Sequence, residues 1–167
     1  MVDAFRSLGR LPRANPEPLD LAVVVADLSR DPEMQEHLVV AEPAGEPVTV
    51  RGDRLLLRRV LANLVENGMH AGDGGQVTVA WRREGDRAIV TVDDSGPGVS
   101  EARRDKIFDP YFTSKEHGTG LGLAIAKKVV LEHGGSLELS AEPAPTGGAR
   151  FVVRLPLADG VAPARRA

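Results

Sequence analysis

The sequence predicts an α+β domain, and two kinds of periodicity carry that prediction. Apolar residues recur at helical spacing in three stretches: Leu21 to Ser29, Leu55 to about Ala71, and the run that opens at Gly118. They alternate with polar residues in two hairpins, one turning at Glu84-Gly85-Asp86 and the other at Thr146-Gly147-Gly148. A length of 167 residues makes one domain the default, with enough chain for a real core. Aromatic residues make up only 4 %, so that core has to be built from Val, Leu, Ile and Ala.

Taken in order, Met1 to Leu11 places Val2, Phe5 and Leu8 at helical spacing and stops at Pro12, where PRANPEP forms a proline-rich connector. A tail this short with an exposed apolar side reads as the end of something longer. Asp20 caps a helix over Leu21 to Ser29. His37 to Ala41 and Pro47 to Val50 are short strands across a Pro/Gly loop. Asp53 caps the next helix, in which Leu57, Val60, Leu61, Leu64 and Val65 form a broad apolar arc. Val77, Val79 and Trp81 alternate in a strand that turns back into Ala88 to Val92. Leu121, Ile125 and Val129 share one stripe of the glycine-led helix. Leu137 and Leu139 begin the second hairpin, which returns through Phe151, Val153 and Leu155 to Pro156. ADGVAPARRA, 158–167, is expected to be a disordered tail.

The net charge of −3 implies no strong nucleic-acid or membrane field. The absence of Cys excludes disulfides and thiol chemistry and fits a reducing compartment. No apolar run approaches the ~18 residues that a membrane-spanning helix requires.

Three groups of residues carry chemistry. Alternation puts Val90, Val92 and Asp94 on one face, so Asp94 continues an apolar row where its strand ends. An unpaired carboxylate there is costly, and it needs a donor such as the amino group of adenine. The carbonyl at the same position of guanine would be repelled. Gly96 and Gly98 let the backbone turn and approach a flat ring. Gly118, Gly120 and Gly122 lead into a helix whose exposed amides and positive dipole end bind phosphate. Asn63, Asn67 and His70 fall within about 60° of one another on a stripe beside the apolar arc of their helix. Amide oxygens aimed from one face suit a hard cation such as Mg²⁺. Together these describe a pocket for a purine nucleotide.

In that order the motifs resemble the catalytic ATP-binding domain of bacterial sensor histidine kinases. NLVENG at 63–68 looks like the family's N box, DDSGPG its first glycine box, IFDPYFTSK its F box and GTGLGL its second glycine box. GGARF at 147–151 resembles the final glycine box. The resemblance covers about Leu19 to Leu157. The short lid and VDAFRSLGRLP look like the nitrogen-regulatory branch of these kinases.

The resemblance implies a two-layer sandwich, a mixed and mostly antiparallel sheet packed on three helices, known as the Bergerat or GHKL ATPase fold. It implies a domain over 19–157, preceded in 1–18 by the end of a dimerisation helix and a linker. ATP and Mg²⁺ are the implied cofactors. Asn67 is then the metal ligand and Asn63 supports it, both as catalytic residues, while His70 stands where many members place a Lys, Arg or Gln near the phosphates. Asp94 reads adenine, with Gly96 and Gly98 shaping the base pocket. Phe108 and Phe112 anchor a lid over about Val99 to Gly118, and Lys115 reaches a phosphate from it. Gly118, Thr119, Gly120, Leu121 and Gly122 embrace the triphosphate. Glu66 lies about 100° from Asn67 on the helix and reads as a surface residue paired with a nearby Arg.

The family's acceptor histidine is followed by an acid, and none of His37, His70, His117 or His133 is. The expected function is therefore the catalytic half of a cytoplasmic two-component kinase, transferring the γ-phosphate to a histidine on a dimerisation domain outside this chain. Its partners are that domain and, indirectly, a response regulator, without nucleic acid or membrane contact, and the chain alone is monomeric. An anti-sigma-type serine kinase of the same superfamily is an alternative, against which FTSK and the LEHGG helix end argue. A nucleotide-sensing interaction module is another.

Overall fold

The computed structural model of the chain describes residues 11–72, 74–116 and 118–158. The expected helical tail on Val2, Phe5 and Leu8, His117, and the chain after Ala158 lie outside these residues. Asp20 and Asp53 start the first two helices for the reason the sequence gives. The Asp20 carboxylate accepts from the Ala22 amide ahead of α1 (Leu21–Ser29), and Asp53 Oδ1 accepts from Leu55 and Leu56 ahead of α2 (Arg54–Met69). Two further helices are described, a single turn α3 (Glu101–Arg104) and the glycine-led α4 (Gly122–Glu132).

A five-stranded sheet takes the spatial order β2 (Leu38–Ala41), β4 (Val77–Glu84), β5 (Arg87–Asp94), β7 (Arg150–Pro156), β6 (Ser136–Leu139). Its pairings are antiparallel except β2 with β4. The result is the mixed, mostly antiparallel sheet expected. A second, two-stranded sheet pairs β1 (Glu17–Asp20) with β3 (Thr49–Gly52). Leu157 bridges to Val50 and joins the small sheet to the end of β7.

Helices α1, α2 and α4 form the second layer. α2 packs between α1 and α4 and also against β5. The arc Leu57, Val60, Leu61, Leu64 and Val65 is buried, as is the stripe Leu121, Ile125 and Val129 of α4. From the sheet, Val77, Val79, Trp81, Val90, Val92, Phe151, Val153 and Leu155 complete the core. A single Phe and a single Trp in that set match the aliphatic core the composition demands.

Two differences from the sequence reading concern the chain's edges. β1 was expected to be connector and capping residue only; its backbone finds a partner in β3, and Leu11 and Ala14 also pack on the core. The two short strands flanking the Pro/Gly loop belong to different sheets, β2 to the large one and β3 to the small one.

His133, next to a glycine pair, is a core residue. Its Nδ1–H donates to the Val129 carbonyl at 2.8 Å while Nε2 accepts from the Asp53 amide at 3.0 Å. This neutral ring ties the end of α4 to the start of α2.

Candidate functional site

α2 is the spine of the site, and the glycine-bearing segments close on its second half at successive heights. Asn63 Nδ2 donates to the Gly122 carbonyl at 3.1 Å, fastening the first residue of α4 to the helix. Asn67, one turn further, is half-buried. Gly68 beside it admits Asp94, since a Cβ there would lie 3.1 Å from Asp94 Cβ and 2.8 Å from Val77 Cγ2. Past the helix end, a Cβ at Gly96 would stand 2.8 Å from the Cβ and carbonyl oxygen of Ala71. The missing side chain at 96 is thus required by packing on Ala71 just beyond α2, whereas Gly98, at φ +78°, has open space where its Cβ would be. His70 ends α2 on the exposed surface, and its Nδ1–H donates to the Glu66 carbonyl at 2.6 Å.

The adjacent aspartates at the end of β5 have opposite surroundings because the strand alternates. Asp93 is gripped from both oxygens by Arg150, at 2.7 and 2.6 Å, and this pairing raises the pKa of the guanidinium. Asp94, 2 % exposed, points into the helix layer. Its Oδ1 accepts from the amides of Gly96 at 2.9 Å and Ala149 at 3.0 Å. Sequence reasoning placed no residue of the last glycine cluster here. The Thr146 hydroxyl donates to the Asp94 carbonyl at 2.6 Å, and a Cβ at Gly148 would overlap Oδ1. The signal was present in the GGARF match, but only the fold shows which residue that cluster touches.

The segment between the glycine clusters is anchored at two places. Ile107 is buried, and Phe108 meets Phe151 edge-on at 6.2 Å with Lys127 Nζ 4.5 Å from its ring centre. Phe112 also packs on the core. Tyr111 takes the left-handed φ of 67° and donates its N–H to the Gly120 carbonyl at 2.9 Å. Gly120, itself at φ +67°, has no room for a Cβ against the Tyr111 main chain. The described residues 112–116 and 118–119 therefore lie between two positions, Tyr111 and Gly120, that are pinned together.

Within that loop the Gly118 amide donates to the Lys115 carbonyl at 3.2 Å. Burial pulls the pKa of the Lys115 ammonium down, and the charge of Glu66 opposes this. Glu66 is exposed as expected, but the charge it acts on is this lysine; no Arg pairs with it among the described residues. Thr119 Oγ1 accepts from the Leu121 amide at 3.4 Å. The Leu121 side chain is buried in the core, so at that position only main chain faces the loop. Leu121, at the N-cap of α4, makes no side-chain capping hydrogen bond, and among the described residues no side chain is bonded to the amides of its first turn. Among the described residues no three His, Cys, Asp or Glu side chains cluster as a metal site.

A helix layer on a mostly antiparallel sheet, with two glycine-lined segments closing on one helix, defines an ATPase-type catalytic domain. Residues 52–159 match the family described as histidine kinase-, DNA gyrase B- and HSP90-like ATPases. The chain belongs to that family, in its sensor-histidine-kinase branch. It is 31 % identical over 156 residues to the nitrogen regulation protein NtrY of Azorhizobium caulinodans, covering 88 % of this chain and 20 % of that protein. It is 45 % identical over 119 residues to the sensor histidine kinase ZraS of Klebsiella oxytoca, covering 70 % and 25 %. The matches thus span about a fifth to a quarter of these relatives' length. Among solved structures, the mycobacterial sensor histidine kinase MprB superposes with a TM-score of 0.70 at 32 % identity, over 85 % of this chain and 97 % of that one. The catalytic domain of histidine kinase ThkA superposes with a TM-score of 0.73 at 28 % identity, over 85 % and 95 %.

Proposed function

We propose that this domain binds ATP with Mg²⁺ and transfers the γ-phosphoryl group to a histidine on the dimerisation domain of its own kinase, in cytoplasmic two-component signalling. The observation that carries the reading is the carboxylate of Asp94. With Oδ1 engaged by two amides, Oδ2 is the acceptor left for the 6-amino group of adenine. The glycine-led first turn of α4 suits the phosphates, supported by the loop through Gly118, Thr119 and Gly120 and by the ammonium of Lys115.

The residues present also fit the metal. With no carboxylate cluster among the described residues, a cation held by Asn67 takes its remaining ligands from water and phosphate oxygens, the shell Mg²⁺ prefers. The bound ion supplies neutralisation of charge on the phosphates. Asn63 acts at one remove, holding α4 to α2 through the Gly122 carbonyl. His70 donates from Nδ1 to its own helix, leaving Nε2 to turn toward a phosphate. Phosphoryl transfer asks mainly for positioning and charge neutralisation, which these groups provide without a protein general base. The response regulator enters only after the acceptor histidine is loaded.

The test is calorimetry with Mg·ATP, followed by γ-labelled ATP in the presence of the separate acceptor hairpin. Binding and an acid-labile label on the hairpin are expected. Binding without transfer favours a nucleotide-sensing module, and a label on serine favours the anti-sigma-type kinase.

A further inference from the structure

Asp94 is clamped from one side by residues that the sequence did not assign to the site. Besides the Oδ1 bond to the Ala149 amide, the Asp94 N–H donates to the Ala149 carbonyl at 3.0 Å. The Thr146 hydroxyl holds the Asp94 carbonyl, and Gly148 runs so close that a Cβ would overlap both Oδ1 and that carbonyl. We propose that the turn from Thr146 to Ala149 positions the site for base selection, by holding Oδ1 so that Oδ2 is presented to the ligand as an obligatory acceptor. The inference rests on the reading of Asp94 as the residue that meets the base. Thr146 and Gly148 act through Asp94 and touch no ligand themselves.

The arrangement makes an unusual demand on an isosteric substitution. Two N–H donors, from Gly96 and Ala149, converge on the Oδ1 position. A second donor cannot stand there, so an asparagine must put its carbonyl oxygen at Oδ1 and its NH₂ at Oδ2. The group facing the base then changes from acceptor to donor. The 6-amino group of adenine is a donor and is repelled, while the 6-oxo group of hypoxanthine is an acceptor and is bound. Asp94→Asn should therefore reverse the base preference, where a loosely held amide would merely lose it.

The experiment measures ATP and ITP affinities, with Mg²⁺, for the parent chain and for Asp94→Asn, Gly148→Ala and Thr146→Val, alongside thermal melts. The parent is expected to favour ATP. In Asp94→Asn, ATP binding should weaken by roughly tenfold or more and ITP binding should strengthen over the parent. Gly148→Ala and, less strongly, Thr146→Val should move the ATP to ITP ratio toward one, a shift that a purely structural role does not produce. Weaker ATP binding in Asp94→Asn with no gain for ITP would overturn the positioning role while sparing the adenine reading. Unchanged ATP binding in that variant would overturn the adenine reading itself. Should Gly148→Ala not fold, Thr146→Val and Asp94→Asn decide, and equal losses of ATP and ITP in Thr146→Val would count against the turn.

Discussion

Asn63 and Asn67 lie one turn apart on α2, and the proposed function gives them different work. Asn63 has its amide engaged with the Gly122 carbonyl, whereas the half-buried Asn67 precedes Gly68, the residue that packs on Asp94. Asn67→Ala is expected to lower Mg²⁺-dependent ATP affinity by on the order of tenfold while leaving metal-free ADP binding near that of the parent. A Mg²⁺ titration unchanged from the parent would refute the ligand role. Asp53 offers a check on the fold itself. Burial pushes its pKa up, but the amides of Asn15, Leu56 and Leu55 outweigh this and hold it below the ordinary value. A carboxyl lowered in the folded state stabilises above its unfolded pKa, and the contribution fades as pH falls through the folded value. Asp53→Ala should cost about 1 kcal/mol at neutral pH, as the loss of an N-cap does. The gap between variant and parent in urea unfolding should shrink below about pH 4; a gap independent of pH would show that the cap is not ionic.

At the scale of elements, what the sequence revealed depended on how local the cause was. Both aspartate caps, the buried arcs of α2 and α4 and the tight hairpin at Gly85 follow from neighbours a few residues apart, and all of them were legible. β1 was not, because EPLD carries a proline and no alternation, and its partner Thr49–Gly52 is some thirty residues away. The order of the candidate site was legible through its motifs. The clamp on Asp94 was not, since Ala149 reaches it across 55 positions. Within the span expected as a lid, Val99 to Gly118, the core contacts fall on particular residues. Ile107, Phe108 and Phe112 are held by the core, and the Tyr111 to Gly120 bond pins the loop ends. Hydrogen exchange on adding Mg²⁺ and a non-hydrolysable ATP analogue should accordingly slow at Thr113 to Glu116 and Gly118 to Thr119. It should change little at Ile107 to Tyr111. Equal slowing throughout would mean that the aromatic anchors release in the free domain.

The whole molecule constrains where the phosphoryl group can go. A kinase needs an acceptor nitrogen that is exposed, nucleophilic and able to align with the γ-phosphate. His133 has both ring nitrogens engaged and is 8 % exposed, so it cannot meet those conditions without unfolding the junction of α4 and α2. His70 lies on α2 itself with Nδ1 tied to its own helix. Of the described histidines, His133 is thus closed to transfer, and the proposed function makes the chain a donor of phosphoryl groups to another unit. Incubated alone with γ-labelled Mg·ATP, the chain should hydrolyse nucleotide slowly at most and carry no acid-labile label of its own. Joined by a flexible linker to an acceptor hairpin from its own kinase, it should label that hairpin faster than an equimolar unlinked mixture does. Tethering raises the local acceptor concentration, up to the millimolar range for a short linker, without adding a contact. Mapping the label by mass spectrometry under non-acidic conditions separates the outcomes. Phosphohistidine on the hairpin alone supports a donor domain, and phosphohistidine at position 37, 70, 117 or 133 would make this chain an acceptor as well.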